Sequence, residues 1–135
     1  MFELDKRLDS DTFFLCDLPL SRVLLMNDSQ FPWIILVPRV DGAREIIDLS
    51  DGQQHQFLKE SAMISHVINR LFSPQKLNVA ALGNVVSQLH IHHVGRFDTD
   101  VAWPKPVWGN QAAVPYEKNT VSELVDAIRE AINPA

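Results

Sequence analysis

Three of the chain's five histidines lie within the four residues His90-Ile91-His92-His93, directly after Gln88-Leu89. In an extended strand alternate side chains share a face, so this spacing predicts Gln88, His90 and His92 side by side, with Leu89 and Ile91 turned into the core. Imidazole suits nucleophilic and acid–base work near neutral pH because its ordinary pKa lies close to that range. A strand also holds such groups more rigidly than a loop does. Two other readings compete with a reactive pair. The histidines can be unreactive edges of a polar cleft, or they can ligate a metal, since His-x-His on a strand is able to chelate zinc. Against the metal, the remaining imidazoles, His55 and His66, fall in a predicted helix, and the single cysteine, Cys16, has no partner for a site or a disulfide. With no phosphate-binding glycine loop and no carboxylate cluster, the sequence demands neither metal nor cofactor.

The elements that must position this segment follow from apolar periodicity. A long helix is expected over residues 57–72, with Leu58, Met63, Ile64, Val67, Ile68 and Leu71 sharing a face. Ser50 and Gln53 form a capping box before it, and Ser73-Pro74 stops it. Thr120 and Glu123 suggest a second box, opening a C-terminal helix over about 120–132 lined by Leu124, Val125, Ile128 and Ile132 and closed by Asn133-Pro134. A short helix is expected over residues 2–8. Runs rich in β-branched and aromatic residues at 12–16, 22–26, 33–37, 77–82 and 89–94 read as strands, the second and third joined by the loop 27–32 as a hairpin. The expected fold is α+β: an antiparallel sheet of about five strands, one long helix and a C-terminal helix, in one domain over residues 1–135.

With 135 residues, 46% hydrophobic and 21% charged, the chain is ordinary for a globular protein. Its formal net charge of −5 leaves no cationic excess for a nucleic-acid backbone or an anionic membrane, so neither is an expected partner. The longest apolar runs fall well short of a membrane span and the N-terminus lacks a signal-peptide pattern, giving a cytoplasmic expectation.

The segment Gly83-Asn84-Val85-Val86-Ser87-Gln88-Leu89-His90-Ile91-His92-His93-Val94-Gly95-Arg96 resembles the signature of the histidine triad (HIT) superfamily, in which three histidines alternate with apolar residues. The likeness runs from about Val23 to Gly109, taking in Leu25-Met26-Asn27-Asp28, Trp33 to Pro38, Trp103-Pro104 and Trp108, with a motif-bearing core of about 12–109. The resemblance implies a HIT-like fold and an enzyme that cleaves at the α-phosphate of a small purine nucleotide derivative, a dinucleoside polyphosphate or a nucleoside phosphoramidate. It places the nucleophile on His90, which forms a nucleotidyl-histidine that water then cleaves. The attacking nitrogen must be unprotonated, which a backbone carbonyl arranges by accepting from the other ring nitrogen. His92 is given a supporting role as a donor to phosphate oxygen. Asn27 and Asp28 fall where the family holds ribose hydroxyls, Asn78 and Asn84 where it contacts phosphate, and Trp103 and Trp108 where an aromatic ring meets the base. Each also has a plain reading as turn, loop or core residue. The family further implies a homodimer.

The first triad histidine is missing: Gln88 stands in its place, able to donate and accept hydrogen bonds but not to carry charge or shuttle a proton. With His90 and His92 it completes the expected catalytic set. His93 is read as a bystander, packed on a helix or solvated. Gly95 is expected to matter only to a turn, and Arg96 to be a solvated strand-end cation. The alternatives to a hydrolase are a nucleotidyl transferase, which shares the first half-reaction, and a nucleotide-binding module that lost turnover through Gln88.

Overall fold

A computed structural model describes residues 1–133 of the chain. Its elements are α1 (Lys6–Asp11), β1 (Thr12–Asp17), β2 (Ser21–Met26), β3 (Trp33–Pro38), a 3-10 turn at Ile46–Asp48, α2 (Asp51–Phe72), β4 (Lys76–Ala80), β5 (Ile91–Arg96) and α3 (Lys118–Ile132). The five strands form one antiparallel sheet, as the sequence predicts, and their order is β1-β2-β3-β5-β4. The β2–β3 hairpin across loop 27–32 forms as expected.

Alternation along the central strands sorts two cores. Ile34 and Leu36 of β3 join Leu89 and Ile91 against Phe57, Ile64, Val67 and Ile68 of α2 and Ile128 of α3. Trp33, Ile35 and Val37 turn the other way and join Leu8, Leu24, Phe31, Val94 and Val107. Every residue of β3 and β5 is buried because both faces of the sheet are covered there. The α2 capping box forms, with Ser50 accepting from the Gln53 amide and Gln53 from the Ser50 amide. Glu60 sits on the buried face of α2, where its carboxylate accepts the Leu20 and Ser21 amides at 2.8 and 2.9 Å and ties the helix to the β1–β2 turn.

Several boundaries differ from the sequence reading. The α2 stripe excludes Leu58, Met63 and Leu71, which are exposed. At about 100° per residue Met63 and Leu58 lie on opposite flanks of Ile64, and Leu71 falls in the last turn. In α3 the Thr120–Glu123 box gives way to an earlier turn, closed by the Val121 amide on the Glu117 carbonyl, so Lys118 begins the helix. Its apolar side packs as expected through Leu124, Val125, Ile128 and Ile132, and Val121 joins them. Asn133 is its C-cap, and Pro134 lies outside the described residues. The first helix begins at Lys6 rather than Phe2 because Asp5 caps it, accepting the Arg7 amide at 2.8 Å. Gly95 belongs to no turn: a Cβ there would stand 3.2 Å from both Ile68 and Pro32, so the glycine permits β5 to pass close beneath α2. Among the described residues no helix is long and apolar enough to cross a membrane.

Candidate active site

The strand predicted over 89–94 starts two residues later, at Ile91. His90 therefore precedes β5 and His92 lies in it, yet both open into one cleft of about 380 Å³ on the sheet face opposite α2. Leu8, Met26, Ile35, Val86 and Trp108 give that cleft an apolar wall, and its volume lies in the range of small-molecule sites, about 300–1,000 Å³. The two rings sit edge to face, with centroids 5.0 Å apart.

Their hydrogen bonds give them opposite roles. His90 Nδ1 donates to the Gln88 carbonyl at 2.7 Å, which leaves Nε2 with a free lone pair. His92 Nδ1 accepts the indole N–H of Trp33 at 2.9 Å, so the proton of the neutral ring resides on Nε2. Burial, reinforced by His90 and His93, pushes the His92 pKa down to about 3 and keeps the ring neutral. Trp33 and Trp108 both meet the ring edge to face, at 5.6 and 5.3 Å. The pair thus presents one bare nitrogen and one N–H from rings held by packing.

Gln88 does not share this face. Its Oε1 accepts the Asp5 amide and its Nε2 donates to the Glu3 carbonyl, both at 2.8 Å, so it serves His90 only through its backbone carbonyl. The expected alignment of Gln88 with the two imidazoles fails because the chain is not yet extended strand at that position. Among the expected phosphate contacts, Asn84 lines the cleft, whereas Asn78 spends its Oδ1 on Arg96 Nη1 at 2.8 Å and lies outside it.

Asn27 and Asp28 also point elsewhere. Asn27 Oδ1 accepts the Tyr116 amide at 2.9 Å, and the buried Asp28 carboxylate accepts the Gln30 amide and side chain and the Val114 amide. Both therefore fasten the incoming segment 112–116 to the hairpin loop. Trp108 lines the cleft, while Trp103 lies against the Arg96 guanidinium at 5.8 Å.

Arg96 is no solvated cation. It is 2% exposed and engages Asp100 through two hydrogen bonds, together with Asn78 and the Lys105 carbonyl. His93 lies on the α2 side of the sheet, where its Nε2 meets Ser61 Oγ at 2.7 Å and its Nδ1 meets the Ile91 carbonyl. Burial lowers its pKa to about 4. Among the described residues, no three His, Cys, Asp or Glu side chains gather as a metal site would require.

Sequence reasoning missed Trp33 as the partner of His92, and Arg7 and Asp11 of α1 as part of the cleft wall. The first was reachable in principle. Ile35 pairs with His92 across the sheet, so Trp33, two residues along on the same face, is its diagonal neighbour once the register is known. The place of α1 had no comparable local signal.

A five-stranded antiparallel sheet with alternating histidines at the mouth of an apolar cleft is the architecture of a histidine triad protein. The chain belongs to the HIT family: the HIT domain model matches residues 7–99, which reaches further toward the N-terminus than the likeness read from the motif. Three solved structures extend the relationship to the whole fold. A histidine triad protein from Marinobacter aquaeolei is 48% identical, with 98% of this chain and 96% of that one covered and a TM-score of 0.95. Another from Bradyrhizobium japonicum is 43% identical, with 97% and 98% covered and a TM-score of 0.94. A HIT protein from Sinorhizobium meliloti is 35% identical, with 96% of each chain covered and a TM-score of 0.93. A comparison with curated proteins gave no match. Membership places the chain in a superfamily of nucleotide-binding hydrolases and transferases.

Proposed function

We propose that the protein is a nucleotide hydrolase in which His90 Nε2 attacks the α-phosphorus of a small purine nucleotide derivative, a dinucleoside polyphosphate or a nucleoside phosphoramidate. The N–P bond forms as the bond from phosphorus to the leaving oxygen or nitrogen breaks, an amine leaving group taking up a proton from water, giving a nucleotidyl-histidine. Water then cleaves the N–P bond and returns His90. The observation that carries this reading is the 2.7 Å bond from His90 Nδ1 to the Gln88 carbonyl. It frees the attacking nitrogen and stabilises the positive charge that the ring acquires on attack. His92, with its proton on Nε2, donates to a phosphate oxygen as charge builds there. Asn84 adds an amide at the same cleft, and Met26, Ile35 and Trp108 receive the base.

A more distant protein of the same fold, 18% identical with a TM-score of 0.68, is a diadenosine triphosphate hydrolase from Plasmodium falciparum. The fold is what that likeness carries. The test is to incubate purified protein with adenosine and guanosine phosphoramidates and dinucleotides, then read products and intact mass. Nucleotide release with a transient adduct, both lost in His90→Ala, is the expected result. Turnover that survives His90→Ala rejects His90. Release only in the presence of a second phosphate acceptor identifies a transferase, and nucleotide binding without adduct or turnover identifies a binding module.

The same reading includes a cytoplasmic homodimer. Ile47 at 83%, Leu58 at 66% and Val79 at 51% are exposed apolar side chains that a second copy would cover. Light scattering on a sizing column is expected to give twice the chain mass; a monomer at micromolar concentration rejects the dimer.

A further inference from the structure

The residue that breaks the triad spends its side chain on the N-terminal segment. The Gln88 carboxamide receives the Asp5 N–H and donates to the Glu3 C=O, as the backbone of an adjacent strand would. A histidine here could not serve both, because the two nitrogens of an imidazole point to different sides of the ring. Asp5 in turn caps α1 by accepting the Arg7 and Leu8 amides. Gln88 therefore sets the position of a short helix whose Arg7, Leu8 and Asp11 form one wall of the His90–His92 cleft.

Among the described residues, Arg7 is the only Lys or Arg lining that cleft. Among the described residues, no carboxylate lies within 4.0 Å of its guanidinium, and Asp11, one turn along α1, forms no ion pair with it. The His92 ring that faces the cleft is neutral in the tautomer its hydrogen bond imposes. A polyphosphate leaving group brings several negative charges into a largely apolar site, and the fixed positive charge there, Arg7, comes from α1, which also brings the Asp11 carboxylate to the same wall.

We propose that Arg7 binds the anionic leaving portion of the substrate, and that Gln88 is the positioning residue that holds Arg7 at the cleft. The loss of the first histidine is thereby coupled to a gain in specificity, favouring substrates whose leaving group is a phosphate over those whose leaving group is an uncharged amine. This rests on the nucleotide reading above for its substrate, while the attachment of the segment is open to a measurement that needs none.

The experiment compares wild type, Arg7→Gln, Gln88→Ala and the double variant on a dinucleoside polyphosphate and on a nucleoside phosphoramidate, and follows hydrogen exchange at the Asp5 amide without substrate. Arg7→Gln is expected to raise KM for the polyphosphate about tenfold, the loss of one charge-assisted contact. Its kcat, and KM for the phosphoramidate, should stay within about twofold. Gln88→Ala should give the same split and also expose the Asp5 amide to exchange, and the double variant should be no worse than the poorer single one, because both act through one group. Should Gln88→Ala fold poorly, Gln88→Glu keeps the acceptor for Asp5, loses the donor to Glu3, and is expected to give an intermediate KM shift.

Equal KM changes for both substrates, an effect on kcat alone, additive effects, or an Asp5 amide equally protected in Gln88→Ala would each overturn the proposal. So would the polyphosphate-specific shift appearing in Arg44→Gln instead, since Arg44 lines a recess of only about 20 Å³ on another side of His90. Wild-type protein that neither binds nor cleaves any nucleotide rejects the functional reading and the role of Arg7 with it. Normal wild-type turnover with an unaltered Arg7→Gln variant rejects this proposal alone.

Discussion

The indole N–H of Trp33 lies 2.9 Å from Nδ1 of His92, so a residue on the neighbouring strand determines which nitrogen of His92 carries the proton. Trp33 pairs in register with Val94 and Ile35 with His92, which makes this contact a diagonal one across β3 and β5. Replacing Trp33 by Phe keeps a ring in the second core and removes only the donor. The ring of His92 is then free to take either tautomer, and the donor on Nε2 is no longer enforced. We expect kcat to fall by roughly tenfold or more, KM to change little, and stability to drop by about 1 kcal/mol for the lost hydrogen bond. Steady-state kinetics and a denaturant titration measure both; unchanged kcat would remove Trp33 from the account of the site.

Stability should depend on pH through the two buried imidazoles. His92 is pushed down to about 3 and His93 to about 4, in both cases chiefly by burial, whereas in the unfolded chain both titrate near 6.5. Between those values the unfolded chain binds protons that the folded one refuses, so stability present above pH 6.5 is lost as pH falls toward 4. Near pH 5 the two together give a slope of roughly 2–3 kcal/mol per pH unit. Urea unfolding between pH 4.5 and 7.5 reads the slope, and His93→Gln, which can still bond Ser61, is expected to reduce it by about half. A flat profile would contradict the burial of both rings as neutral groups.

Arg96 is expected to behave as a structural hub. Its guanidinium holds Asp100, Asn78 and the Lys105 carbonyl and lies over Phe31 and Trp103. Arg96→Ala leaves the buried Asp100 without its main partner and should cost about 3–5 kcal/mol. Arg96→Lys should recover only part of this, since an ammonium cannot reproduce the planar fork. A loss below about 1 kcal/mol in chemical denaturation, the size of a surface pair, would show that the loop 97–105 is held by other means.

Asp28 gives the clearest separation between a structural and a ribose-binding role. Its carboxylate accepts from Gln30 and from the Val114 amide, and its charge adds to the burial that pushes the Tyr116 hydroxyl up to about 12. Asp28→Asn should lower stability by about 1–2 kcal/mol and leave nucleotide KM within about twofold. A tenfold rise in KM with unaltered stability would restore Asp28 to the ribose.

Legibility differed from residue to residue. The His90–His92 pair stood out because period-two alternation is a local property, and the α2 start because a capping box is complete within four residues. The hairpin and the sheet of five strands followed from the same local patterns and from the family likeness. By contrast, Leu58 and Met63 have the apolar type of a buried stripe but not the angular position that decides burial. Asn27, Asp28 and Asn78 look like ligand contacts in sequence, but their partners, Tyr116, Val114 and Arg96, come from segments 18–89 residues away.

What the sequence by itself determined is the chemistry available: two imidazoles with one residue between them, an absent third, and the periodicities that build a sheet and helix to carry them. Short-range sterics and apolar spacing suffice for that. Only the tertiary structure decided which nitrogen of each ring is free, because the Gln88 carbonyl and the Trp33 indole are placed by backbone geometry and strand register. Only it showed that Gln88 turns away to hold residues 83 and 85 positions distant and brings α1 to the cleft. Hydrogen-bond partners of that kind are chosen by the packing of whole elements, for which a single strand of sequence carries no local signal.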